Sequence, residues 1–448
     1  MDFYAFRDMV AERCQALGIT EYELYYETET STSAEAFQHE INEFSASEGG
    51  GLCLRCIVNG NMGYAATQSL DPREAAHLVD RAVDNASVLE TQEPIFLGEG
   101  GQTYEPLNQK PYALPTTEQL IETVLAAQEQ LYAADPAVVD GCQTQGLSQH
   151  SELYLYNSKG LDLHCENDLS GLVSVAVVSN GTEMANDYQI KLGSFQALDT
   201  AALAAKAAAE AKGKLGGEAA PTGQYPVVFD SDAMSDLLAT FSGIFSSEAA
   251  QKGLSRLADA EGTVIASPAV TLVDDPFHPE NPVPRNFDAE GTPAHKKNII
   301  EKGTLNTLLY NLKTAAKAGK VSTGNASKGG YDAPVGIRPF SMYLEGSSLS
   351  EEELLRQAGN GVYIHALGGL HAGANPITGD FSLQSSGFLI ENGVKTKAVK
   401  SFTVAGNFYQ LLKDIAAVAD NSHLPSAMGP TAFGAPSTLV LGLSVAGK

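Results

Sequence analysis

Three stretches of the chain carry residue types that do chemistry. Cys53-Leu54-Arg55-Cys56 is a C-x-x-C pair, a spacing that serves zinc and redox sites. It lies in a segment of strand composition, where residues three apart point to opposite faces, so the two sulfurs have no common ligand position. No second C-x-x-C exists, and the pair reads as two ordinary strand cysteines. His39-Glu40 opens like a zinc-protease helix, but no histidine follows at the fourth or fifth place, so no helix face offers a second ligand. It reads as a surface pair. G-x-S-x-G and G-x-x-x-x-G-K-[ST] are both absent from the sequence, which leaves nucleophile-elbow and P-loop chemistry without support.

The third stretch, His365 to Ser382 (HALGGLHAGANPITGDFS), is the richest in polar residues. Gly368, Gly369, Gly373 and Gly379 let backbone approach a ligand or a second chain closely, and His371, Asn375 and Asp380 supply groups that hydrogen-bond or ligate. The same residues also make a structural loop between two strands, with Asn375-Pro376 and Thr378-Gly379-Asp380 as turn chemistry. Both readings stand at this level.

These residues must be positioned by a chain of 448 residues, 43% hydrophobic and 18% charged, enough apolar material for two or three domains. Its longest apolar runs, Leu172 to Val178 and Leu439 to Val445, are of strand length, far short of the roughly 20 residues of a membrane span. The 28 basic against 54 acidic residues leave a net charge of -26, a field that repels nucleic-acid phosphates. The early charges Asp2, Arg7 and Asp8 leave no apolar signal region. Five irregularly spaced cysteines make no disulfide framework, which suits a reducing compartment. The expected location is the cytoplasm.

Phe3, Phe6, Val10, Cys14 and Leu17 recur at helical spacing up to Gly18. Strand pairs are expected over Glu23 to Thr30 with Ala34 to Phe44, and over Gly51 to Val58 with Gly63 to Thr67, the second turning at Asn59-Gly60-Asn61. A helix from Asp71-Pro72 to about Leu89 follows, then a loop from Glu93 to Pro115, and a helix capped by Thr116 and Gln119. Val138 to Ile190 reads as an antiparallel meander and Asp199 to Lys212 as an Ala-rich helix. The boundary is placed in the Gly/Pro-rich segment 213–226, giving an N-terminal α+β domain (1–212) and a β-rich α+β domain (227–448). The second opens with a strand at Val227 to Phe229 and a helix over Asp232 to Ser247. Hairpin turns are expected at Glu301-Lys302-Gly303 and Glu391-Asn392-Gly393, and helix caps at Ser350 and Asn407. Helices and strands are segregated, so the fold class is α+β, each domain an antiparallel sheet with flanking helices.

LHAGANPITGDFSLQSSGFLIENG, continuing through SFTVAGNFYQLLKDIAAV, resembles the C-terminal signature of the TldD/PmbA family, also called peptidase family U62 or modulator of DNA gyrase. The hairpin LCLRCIVNGNMGYAAT and the segment NFDAEGTPAHKKNIIEKGTLNTLLYNLKTAAKAG sit in the family's order, so the resemblance spans nearly the whole chain. It implies two related chains, TldD and TldE, pairing as a cytoplasmic zinc metalloprotease that acts on unfolded or short peptides. The TldD-type chain carries H-E-x-x-x-H and a cysteine near its C-terminus. Here Ala239, Thr240 and Ile244 fall where the two histidines and the glutamate would be, and the last cysteine is Cys165. The resemblance is therefore to the TldE/PmbA-type subunit. Ala, Thr and Ile neither hold zinc nor take a proton from bound water.

The expectation is a non-catalytic, cleft-forming subunit without catalytic or metal residues and without a cofactor of its own. Zinc belongs to a TldD-type partner, an unfolded peptide is bound by strand addition, and neither nucleic acid nor membrane is a partner. A homodimer is allowed in isolation. His371, Asn375 and Asp380 are expected at the internal cleft or subunit contact. Two alternatives remain. One is a self-sufficient metal hydrolase built from His365, His371, Asp380 or His278; the other is a homodimeric peptide-binding scaffold without proteolysis.

Overall fold

The computed structural model describes residues 1–88, 94, 96–107, 113–424 and 431–447. Helix α1 (Phe3–Ala16) is capped by Asp2 and buries Phe3, Phe6, Val10 and Cys14, the apolar row visible in the sequence. Strands β1 (Tyr22–Phe37), β2 (Glu40–Val58), β3 (Asn61–Thr67), β4 (Gln143–Asn157), β5 (Asp162–Ser179) and β6 (Met184–Leu192) form a six-stranded antiparallel sheet in the order β3-β2-β1-β4-β5-β6. Helix α2 (Pro72–Ser87) joins α1 over one end of the sheet, where Leu24, Leu52, Leu54 and Cys56 are buried. Helices α3 (Thr117–Ala134) and α4 (Thr200–Gly213) cover the other end, over Ala34, Ala36, Leu172 and Ala176. The opposite face of the sheet, with Tyr25, Cys53, Leu153 and Leu155, packs on Phe287, Ala289 and Ala326 from the C-terminal half. Cys53 and Cys56 thus lie in separate cores on opposite faces, as the period of two requires.

The C-terminal half contains β7 (Gly223–Phe229), helix α5 (Ser231–Phe241), β8 (Leu272–Asp274), β9 (Lys297–Glu301), β10 (Thr304–Leu305), β11 (Ala326–Ser327), β12 (Gly336–Ile337), β13 (Ser341–Leu344), β14 (Gly361–Gly368), β15 (Asp380–Glu391), β16 (Val394–Asn407), β17 (Ile415–Val418), β18 (Ala432–Gly434) and β19 (Thr438–Ala446). One sheet runs β16-β15-β14-β7-β19-β17, and an added pairing of β16 with β19 closes its first five strands into a ring. A second sheet runs β10-β9-β8-β13-β18. The main core joins residues of both sheets and takes in the apolar face of α5. Phe241 stacks on Phe408 at 4.6 Å and tilts against Phe381 at 6.2 Å, which fixes the axial position of α5. The α+β class is observed, and among the described residues no helix is long and apolar enough to cross a membrane.

Several boundaries differ from expectation. Ala34 to Phe44 is no single strand, because the hairpin turns at Gln38 and His39, both with positive φ (50° and 69°). Neither is a favoured turn residue there, so the sequence hides the turn. His39-Glu40 accordingly sits at a hairpin tip, where His39 Nδ1 meets Glu129 at 2.6 Å. The strand expected at Val227 begins at Gly223, inside the segment read as linker. The helix expected over Asp232 to Ser247 breaks after Phe241 into a 3₁₀ turn (Ser242–Phe245) and a short helix (Ser247–Gln251). Helix α2 ends at Ser87; the end expected at Leu89 and part of the loop expected from Glu93 to Pro115 lie outside the described residues. The turns at Asn59-Gly60, Lys302-Gly303 and Asn392-Gly393 fall where their sequences direct, each with both residues at positive φ.

Candidate functional site: a cleft between the two halves

Helix α5 starts where Asp230 accepts the Ala233 N–H at 2.8 Å, the geometry of an aspartate N-cap. Its apolar positions Ala233, Met234, Leu237, Leu238 and Phe241 enter the core. The remaining face, Asp232, Ser235, Asp236 and Ala239, recurs at three- and four-residue spacing and looks into a cleft of about 740 Å³. Strand β6 (Asp187 to Lys191) and Ala202, Leu203 and Lys206 of α4 form the facing wall, while His365 to Leu367, His423, Leu424 and Phe433 close the cleft from the C-terminal half. Apolar walls with a few converging charges are the usual make-up of a ligand site.

His365 is the electrostatic centre. Its Nδ1–H donates to Asp230 at 2.8 Å, and its Nε2–H faces Asp187 at 3.2 Å and Glu210 at 3.5 Å. Burial alone would lower its pKa, but the hydrogen bonds to Asp187 and Asp230 outweigh burial and push it up to about 10. The imidazolium therefore ties β14 to β6 and α4, that is, one half of the molecule to the other. Lys214 adds a second cation on Asp187 at 2.8 Å. Against the raising effect of burial, His365 and Lys214 hold Asp187 below the usual carboxylate range. His423 sits 3.3 Å from Asp232, whose hydrogen bond raises it, and 2.8 Å from the Ser231 hydroxyl. Asp236 lines the cleft one turn further along α5, pushed up to about 6 by burial and then by the charges of Asp232 and Asp230.

Strand β6 is the last strand of its sheet, and among the described residues no other strand pairs with its outer edge. Outward-facing groups can be read from their partners: the Asn186 carbonyl accepts from Lys214 at 3.0 Å, and the Tyr188 N–H donates to its neighbour Asp187 at 2.6 Å. By the alternation of an antiparallel ladder, the Ile190 N–H and C=O point the same way. The cleft is thus walled in part by strand backbone, beside the exposed Tyr188 ring.

The sequence-derived candidates lie elsewhere. His371 is exposed on the short helix Leu370–Gly373. Asn375 Oδ1 accepts the N–H groups of Ile377 and Thr378 at 3.0 and 3.2 Å, and Asp380 accepts from the Asn407 side chain at 2.8 Å, the bond that chiefly lowers its pKa. Asn375 and Asp380 shape the β14–β15 connection, and none of the three lines the cleft. His278 packs edge-on against Tyr343 at 5.0 Å and His365 is held by carboxylates, so the four residues of the hydrolase alternative form no common site. Asp187, Lys206, Asp232, Asp236 and His423 carried no motif and were not singled out; only the amphipathic spacing of α5 could have pointed to two of them.

Ala239 faces the cleft, Thr240 turns its hydroxyl back to the Asp236 carbonyl at 2.7 Å, and Ile244 is buried in the core. These side chains do not fit a zinc ion. Among the described residues, no group of three or more His, Cys, Asp or Glu side chains is arranged to hold a metal, and all five cysteines are buried.

Family models described as PmbA/TldA metallopeptidase domain 1, central domain and C-terminal domain match residues 22–86, 110–215 and 222–447. The chain belongs to the PmbA/TldD family of metallopeptidases. A metalloprotease of Archaeoglobus fulgidus is 31% identical over 54% of this chain and 57% of its own length. Metalloprotease PmbA of Escherichia coli O157:H7 is 25% identical over 88% of this chain and 86% of its own. The crystal structure of a protein described as a modulator of a DNA gyrase, from Thermotoga maritima, superposes with a TM-score of 0.90 at 29% identity, covering 99% of this chain and 100% of that one. TldE from Thermococcus kodakarensis shares the fold, with a TM-score of 0.85 at 23% identity over 99% of this chain and 100% of that one.

Proposed function

We propose that this chain is the non-catalytic, TldE-type subunit of a cytoplasmic two-chain metallopeptidase, forming part of a cleft that receives unfolded peptide. The observation that carries the reading is Ala239. The α5 face that looks into the cleft offers an alanine where a zinc-binding family member would offer histidine, and among the described residues no donor set replaces it. The cleft remains suited to binding: the outward backbone of β6 at Ile190 supplies a donor and an acceptor, and Leu203, Leu367, Leu424 and Phe433 supply apolar contact. A peptide held through its backbone is accepted with little regard to side chains. Catalysis then comes from the zinc of a TldD-type partner, and the net charge of -26 makes any influence on gyrase indirect.

The test mixes the purified chain with an H-E-x-x-x-H family member and follows association by sedimentation and cleavage of an unfolded peptide. A stable mixed complex that cleaves is the expected result. A chain that stays monomeric, with no effect on its partner's cleavage, would overturn the assignment.

A further inference from the structure

Far from the cleft, where the N-terminal sheet packs on the C-terminal half, Lys328 inserts beside Cys53. The Lys328 Nζ lies 3.0 Å from Cys53 Sγ, 2.7 Å from the Tyr64 hydroxyl and 2.6 Å from the Tyr331 carbonyl, with the Tyr25 ring centroid at 4.5 Å. The Tyr64 hydroxyl donates in turn to the Ala333 carbonyl at 2.9 Å, so its lone pairs face the amine. Among the described residues, no carboxylate forms an ion pair with Lys328. The nitrogen is therefore held by a thiol-bearing side chain, a phenol and a carbonyl, in contact with sulfur across the junction between residues 22–86 and 222–447.

We propose that Cys53 and Lys328 form an oxidative cross-link site, in which a peroxide converts the thiol to sulfenic acid and the amine closes a sulfenamide between the two halves of the molecule. In the first step hydrogen peroxide transfers one oxygen to Cys53 Sγ and leaves as water, a two-electron oxidation of sulfur. In the second, the Lys328 lone pair attacks that sulfur, the S–O bond breaks, and hydroxide leaves with a proton from nitrogen as a second water. The balance is one thiol, one amine and one peroxide giving one S–N bond and two waters. Condensation of a sulfenic acid with a backbone nitrogen is known chemistry, and here a side-chain amine stands in the corresponding contact. Burial holds the Lys328 pKa below its ordinary value, the direction that favours a free lone pair on nitrogen. A thiol reductant attacks the same sulfur and reopens the bond.

The experiment treats the full chain with millimolar hydrogen peroxide, blocks free thiols, digests without reductant and sequences cross-linked peptides by mass spectrometry. The expected product joins the Cys53 and Lys328 peptides with a net loss of two hydrogens, and dithiothreitol abolishes it. Thermal midpoint should rise on oxidation in the wild type and stay unchanged in Cys53→Ser and Lys328→Arg, the latter retaining the charge and most of the packing. Cys53 recovered unmodified, or only as sulfinic or sulfonic acid, would overturn the proposal. So would the same midpoint rise in both variants.

Discussion

His365 is the residue on which the cleft's electrostatics turn. Three carboxylates, Asp187, Glu210 and Asp230, surround one imidazolium, and removing it leaves them facing each other in a half-buried site. His365→Ala should cost about 3 kcal/mol, the scale for breaking a buried ion pair by deleting one partner. The pH dependence follows from the direction of its shift. Its folded pKa of about 10 lies above the unfolded value, near the 6.5 of a free histidine, so its stabilisation is complete below about pH 6.5 and is lost as pH rises toward 10. Urea denaturation at several pH values should show wild-type stability falling through this window and the variant's profile flatter. Equal slopes would mean that the imidazole is neutral in the fold. Nothing in the sequence around His365 distinguished it from His371, six residues on. The two differ in what the fold brings from 135 and 178 residues away, Asp230 and Asp187, which no local spacing records.

At the scale of elements, what was legible is what local physics decides. The helix caps at Thr116 and Ser350, the Asn-Gly turns and the alternation through β4 to β6 all follow from short-range rules, and all appear. The Gln38-His39 turn did not, because its positive φ is imposed by the pairing of two long strands rather than by favourable turn residues. Gln38→Asn, which accepts that backbone more readily, should raise stability by about 0.5 kcal/mol in urea denaturation. A loss would mean that the Gln38 side chain contributes contacts of its own. Strand β6 offers a sharper test. Ile190→Pro removes an outward N–H while sparing the ladder bonds to β5, so stability should change little while affinity for an unfolded peptide falls roughly fivefold, the worth of about one hydrogen bond. Unchanged affinity, measured by fluorescence anisotropy with a labelled peptide, would place the peptide away from this edge. Helix α5 must hold its register for the cleft to exist. Phe241→Ala, which empties the stack on Phe408, should cost about 3–5 kcal/mol and lower peptide binding along with the thermal midpoint.

Across the whole molecule, the family and the α+β class could be read from the long C-terminal signature, whereas the cleft could not, because it is made by apposition. Its walls come from β6 and α4 on one side and α5, β14 and His423 on the other. The signature itself drew attention to His371, Asn375 and Asp380, and the fold uses Asn375 and Asp380 to build the β14–β15 connection rather than to line that cleft. The central claim concerns what this cleft lacks, and it is tested most directly by measuring bound zinc and peptide hydrolysis on the same sample of the chain purified alone. The expected result is no stoichiometric zinc and no cleavage of casein or an oligopeptide, with cleavage appearing when an H-E-x-x-x-H chain is added. One equivalent of tightly held zinc, with hydrolysis abolished by a chelator in the absence of any partner, would contradict it.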